Sequence, residues 1–153
     1  MSVPLDTLSY PNDPWVVYDY EVGMWRDLCD LLGLGPSLLM LSWCIRNAIT
    51  ESAVLHTRIL IGILLPPDDK GRNDDIKLSS LLPSFASPTQ RSLSQAYGDG
   101  NSPGTPCWEF NKMLAHATCH RTDTYDYGIA LNNLFPLISK LLNEVHKSRT
   151  KCS

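Results

Sequence analysis

Most of what would name a function is missing from this 153-residue chain. There is no GxGxxG, GxxxxGK[ST], GxSxG or HExxH, so the Rossmann, P-loop, serine-hydrolase and zincin readings lose their main support. Five cysteines (Cys29, Cys44, Cys107, Cys119 and Cys152) form no CxxC pair and no zinc-ribbon spacing, and their odd number does not suggest a disulfide framework. Basic residues are not in excess: 13 stand against 16 acidic ones, and a net charge of -3 gives no global attraction to nucleic acid or an acidic membrane. The first residues, MSVPLDTLSYPNDP, lack a basic region followed by an apolar one, so they do not read as a secretory signal. The one long apolar stretch, 38–65, is interrupted by Arg46, Asn47, Glu51, His56 and Arg58, each costly in hydrocarbon. These absences lead us to expect a cytoplasmic protein that does not span a membrane.

No segment alternates apolar and polar residues for long, which removes the signal for strands. The helical period is present instead. Trp15, Tyr18, Val22, Trp25, Leu28, Cys29 and Leu32 make one apolar stripe, ended by Gly33 and Gly35. The stretch 38–65 is apolar over most of its circumference, as expected for a helix surrounded by neighbours, and Pro66 and Pro67 close it. A third helix is predicted from Pro106 to about Thr122. A fourth runs from about Asp126 to Arg149, with Pro136 expected to kink or split it.

Between them, PPDDKGRNDD and GDGNSPGTP read as loops, 76–85 as a short apolar segment, and 87–97 as a short helix. The expected fold is all-α: a bundle of four main helices with a long, irregular middle connection carrying short helices. An extended arm (1–14) precedes a single domain (15–149), and a tail (150–153) follows.

Polar residues on the second and third helices mark the candidate site, because buried polar groups need partners. At 100° per residue, Asn47, Glu51 and Arg58 fall within about 40° of one another, with Arg46 on an adjoining strip and His56 on a different side. On the third helix Glu109, Lys112, His116 and His120 share a stripe about 80° wide. His116 and His120 at i and i+4 have a chelating spacing, but neither has an acidic residue three positions before it, so no metal site and no cofactor is assigned. His116 or His56 facing Glu51, with Arg46 or Arg58 holding an anion, would make an acid–base site. Asn111, Asn47, Arg58, Lys112, His120 and Arg121 are the candidate binding residues.

The segment FNKMLAHATCHR resembles the helical signature of the HEPN superfamily (higher eukaryote and prokaryote nucleotide-binding domains), in which an Arg-Asn pair precedes a His by several residues. Asn111 and His116 match the Asn and His, Lys112 and Ala115 fit the pattern, and Phe110 stands where the arginine would be. RNAITESAVLHTR on the second helix is also similar to small HEPN-like proteins. The resemblance implies an all-helical fold and the binding or cleavage of a nucleotide or RNA, commonly in a homodimer, with Arg46 or Arg121 as the substitutes for the missing arginine.

Two other readings stand beside it. One is an enzyme of isomerase, cyclase or lyase type doing His/Glu chemistry on a small apolar molecule in a bundle cavity. The other is a non-catalytic dimeric interaction module.

Overall fold

The computed structural model describes residues 13–33, 35–66, 76–115 and 125–152, and these are mostly helical with no strand among them. Helix α1 spans Pro14–Gly33, and a 3-10 helix spans Gly35–Met40. Helix α2 spans Trp43–Leu64, α3 Leu78–Leu81, α4 Pro88–Tyr97, α5 Pro106–Ala115 and α6 Tyr127–Cys152. Helix α2 packs most extensively on α1 and also touches α5 and α6, while α4 lies against α6 and α5. Among the described residues, no helix is long and apolar enough to cross a membrane.

The apolar stripes fill one core. Tyr18, Val22, Trp25 and Leu28 enter it from α1, Leu60, Ile61 and Leu64 from α2, and Leu134, Ile138, Leu141 and Val145 from α6. Leu93 of α4 and Phe110 of α5 are fully enclosed. Each such side chain contributes roughly 1.5–3 kcal/mol relative to leaving it in water. Arg149 Nη1 donates to both carboxylate oxygens of Asp19, at 2.8 and 3.1 Å, and the guanidinium stacks over Trp15; together these tie the end of α6 to the start of α1.

Three details depart from the sequence reading. The helix expected over 38–65 is two elements, because Ser42 is an N-cap with extended backbone (ψ 152°) and accepts from Ile45 N at 3.4 Å. A serine offers the backbone a local partner outside the helix, and that interrupts an otherwise continuous apolar run. The expected envelope of neighbours covers only the C-terminal part of α2; Trp43, Cys44 and Ile45 are exposed. Pro136 does not split α6, which runs unbroken from Tyr127 to Cys152. Proline leaves the carbonyl four residues back without a donor, but Asn132 and Pro136 are both exposed, so water can satisfy it.

The short middle helix is pinned rather than loose. Ser87 and Gln90 form a capping box at the start of α4, with Ser87 N donating to Gln90 Oε1 at 3.2 Å. Gln90 Nε2 reaches back to the Leu64 carbonyl at 2.8 Å. From α6, the Glu144 carboxylate accepts from Ser87 Oγ and from Thr89 Oγ1, the latter at 2.9 Å, and places negative charge at the positive end of the α4 dipole. Glu144→Ala removes two hydrogen bonds and that charge, so it is expected to destabilise the protein by about 1–3 kcal/mol in urea unfolding. A loss under about 0.5 kcal/mol, the range of an ordinary surface change, would remove the pin from the account.

Candidate functional site

Two open clefts lie along the C-terminal half of α2. Arg58, Ile61 and Gly62 of α2 face Lys77 on one side, and Tyr97, the 98–100 loop, Cys107 and Asn111 on the other, around an open cleft of about 470 Å³. A second open cleft of about 450 Å³ shares Arg58, Gly62 and Lys77 and extends towards Val17, Ile59 and Ile76. Together they put two cations on one exposed groove.

Each wall has a local cause. Lys77, just before α3, donates to the Gly62 carbonyl at 3.1 Å, which holds its ammonium over α2. Helix α5 begins where Thr105 Oγ1 accepts from Trp108 N at 3.3 Å and Pro106 takes the first-turn position. Between α4 and α5 the chain turns at Gly98, with φ at +79°; a Cβ there would come within 2.7 Å of Thr105, so both conformation and space call for glycine. At Gly100 a Cβ would lie 3.3 Å from both Asn111 Nδ2 and Cys107 Sγ, so the loop backbone passes close over these side chains.

Asn111 Nδ2 lies 3.8 Å from Cys107 Sγ as donor to sulfur. Burial, and next the neighbouring Cys107, push the Tyr97 phenol well above its ordinary value, so it stays a neutral hydroxyl. Asp99 also lines the cleft, but its carboxylate accepts from Asn101 N at 3.1 Å and Ser102 Oγ at 3.3 Å within its own loop. Arg58 is exposed, and it forms no ion pair among the described residues.

The residues singled out in the sequence divide sharply. Arg58 and Asn111 come together in the cleft. Asn47 and Glu51 do not line it, since they lie two to three turns nearer the start of α2. Arg46, in the first turns of α2, buries its Nε without a hydrogen-bond partner. Lys112 stacks over Trp108, with its Nζ 4.5 Å from the ring centroid. His116, His120 and Arg121 lie outside the described residues.

His56 corrects an expectation: its carboxylate partner is Glu21 of α1, not Glu51. Nδ1 lies 2.8 Å from Glu21 Oε2, both side chains are nearly buried, and the Tyr20 ring stands edge-on to the imidazole at 6.4 Å. The helical turn rotates Glu51 away from His56, while α1 delivers Glu21 to it.

Sequence reasoning missed Glu21, Lys77, Tyr97 and Cys107. Glu21 left a usable signal, because it falls inside the apolar stripe between Tyr18 and Trp25. A lone carboxylate there demands a partner. Lys77 left none; it lies outside every long periodic segment.

The chain was compared with protein-family models, with curated proteins and with solved structures, and none matches.

Proposed function

We propose that the chain is an HEPN-like helical protein, with α1, α2, α5 and α6 arranged as a four-helix bundle, that binds nucleotide or RNA phosphate in the cleft between Arg58, Lys77 and Asn111. The observation that carries this reading is the convergence of Arg58 and Asn111, two residues from segments with the HEPN-like pattern, on one open groove with a second cation. A guanidinium, an ammonium and an amide offer donors of the kind a phosphate accepts, and the guanidinium can take two oxygens at once. The groove is open along its length, which suits a ligand whose bases stay partly in solvent. In the cleaving form of this reading, His116 supplies the acid–base group. It follows Asn111 by five residues in sequence.

Fluorescence anisotropy with a labelled single-stranded RNA and with a labelled nucleoside triphosphate tests the proposal. Arg58→Glu and Asn111→Ala are each expected to weaken binding at least tenfold, the equivalent of one charge-assisted hydrogen bond, with helix content unchanged. Two phosphate contacts on a single strand give a salt slope near -1.4, so wild-type affinity should fall about sevenfold between 50 and 200 mM salt. Wild-type protein that binds neither ligand, or variants that bind as wild type does, would end this reading.

A further inference from the structure

Helices α1 and α2 run antiparallel: Glu21 meets His56, and Val17, one turn earlier on α1, shares a cleft with Arg58 and Gly62, later on α2. The linker between them therefore stands at the end of a helical hairpin, about 20 Å along α2 from Arg58 at 1.5 Å per residue. That end is apolar and turned outwards. Leu39 is 68% exposed, Met40 89%, Trp43 68% and Ile45 49%, with Leu41 and Cys44 also in solvent. The 3-10 helix that carries Leu39 and Met40 has no extensive packing with any other helix among the described residues. These side chains leave on the order of 500 Å² of apolar surface in water, close to the most that a soluble chain ordinarily shows in one place. Scattered exposed apolar residues are normal, but a run this dense that includes a tryptophan and a methionine is not.

We infer that this tip, Leu39 to Ile45, docks the protein on a lipid bilayer, seated at the boundary between headgroups and acyl chains. Three features favour lipid over a protein partner. The first is hydrogen bonding. A protein interface carries about one hydrogen bond per 100–200 Å², but from Leu38 to Ile45 the only polar side-chain groups are the Trp43 indole N–H, the weak Cys44 thiol and the Ser42 hydroxyl, which already accepts from Ile45 N. Hydrocarbon asks for none. The second is charge. No charged residue occurs from Leu31 to Ile45, so nothing ionised leaves water as the tip enters. Arg46 follows at once; it makes no ion pair among the described residues and its Nε has no hydrogen-bond partner, so its guanidinium has donors for a lipid phosphate at the rim. The third is Trp43 itself, whose apolar ring and polar N–H suit the headgroup level. The contact lies on the bilayer and does not cross it, in keeping with the absence of a spanning helix among the described residues. The tip is separate from the Arg58 cleft, so lipid docking stands or falls independently of phosphate binding there.

Co-sedimentation with phosphatidylcholine vesicles decides it; the zwitterionic lipid is the right probe because a chain of net charge -3 gains nothing overall from acidic headgroups. Wild-type protein is expected to sediment with the vesicles, and its affinity should change less than about twofold between 50 and 500 mM salt, since salt screens charges and not apolar contact. Met40→Glu/Trp43→Glu should bind at least tenfold more weakly with unchanged helix content. Ile129→Glu, at an exposed apolar position on α6, should bind as wild type does. A second measurement covers the case in which the double variant does not fold. Vesicles of phosphatidylcholine brominated on its acyl chains should quench wild-type tryptophan fluorescence, and Trp43→Phe should sediment but lose that quenching, because Trp15, Trp25 and Trp108 lie off the tip. A wild type that stays in solution overturns the inference, including one that covers the tip by self-association. So does sedimentation that survives both glutamates, or quenching that persists without Trp43.

Discussion

Phe110→Ala is expected to lower stability by about 3–5 kcal/mol, with the urea midpoint falling and the slope of the transition unchanged. Phe110 is fully enclosed, its ring 6.0 Å from Tyr97 in an edge contact and 6.1 Å from Tyr127 in a stacked one. It therefore joins α5 to both α4 and α6. Truncation to alanine loses the transfer energy of the ring, leaves a cavity, and removes two aromatic contacts worth roughly 0.5–1.5 kcal/mol each beyond area. Total stabilities of small domains run to about 5–15 kcal/mol, so one such change takes a large share.

Phe110→Arg should be at least as damaging, because it would place a guanidinium in that enclosed aromatic cluster. An arginine introduced at this position is thus expected to unfold the protein rather than to add a phosphate-binding group. Asn111, the next residue on α5, should lose its position in the cleft as the helix loosens. A Phe110→Ala protein within about 1 kcal/mol of wild type would show that α5 is held by something other than this cluster.

The arrangement around Phe110 also shows why some of the molecule was readable from its sequence and some was not. Helix existence follows from periodicity and punctuation: the stripe from Trp15 to Leu32, the Pro106 start and the Pro66 stop all correspond to helices in the structure. Periodicity does not reveal which neighbour a face meets. A sequence resemblance draws attention to Phe110 as the place of an arginine, while its surroundings make it a core residue. Arg58 and Asn111 were legible as polar residues on interior helices, yet Lys77 joins them only because the chain after α2 returns across Gly62. Ser42 is equally opaque in sequence, a single hydroxyl in an apolar run that ends one helix and begins the next.

The Glu21–His56 pair should show the second large effect, and an asymmetric one. His56→Leu leaves a carboxylate on α1 nearly out of water with its partner gone, and breaking a buried pair from one side costs about 3–5 kcal/mol. Glu21→Leu leaves the imidazole Nδ1 without its hydrogen-bond partner, a cost of about 1–3 kcal/mol. The double variant Glu21→Leu/His56→Leu removes both polar groups from the α1–α2 interface and puts an apolar side chain on α1 between Tyr18 and Trp25, where the stripe already favours one, opposite another on α2. It is expected to be more stable than His56→Leu alone, with a coupling of about 1–3 kcal/mol between the two sites. Chemical unfolding of the four proteins in the cycle measures this directly. Additive single effects, within about 0.5 kcal/mol, would mean that the 2.8 Å contact contributes nothing to the packing of α1 on α2. Strong coupling would identify the pair as a device that fixes how α1 sits on α2: Glu21 is costly in the stripe by itself, and only the rotation that brings it to His56 satisfies it.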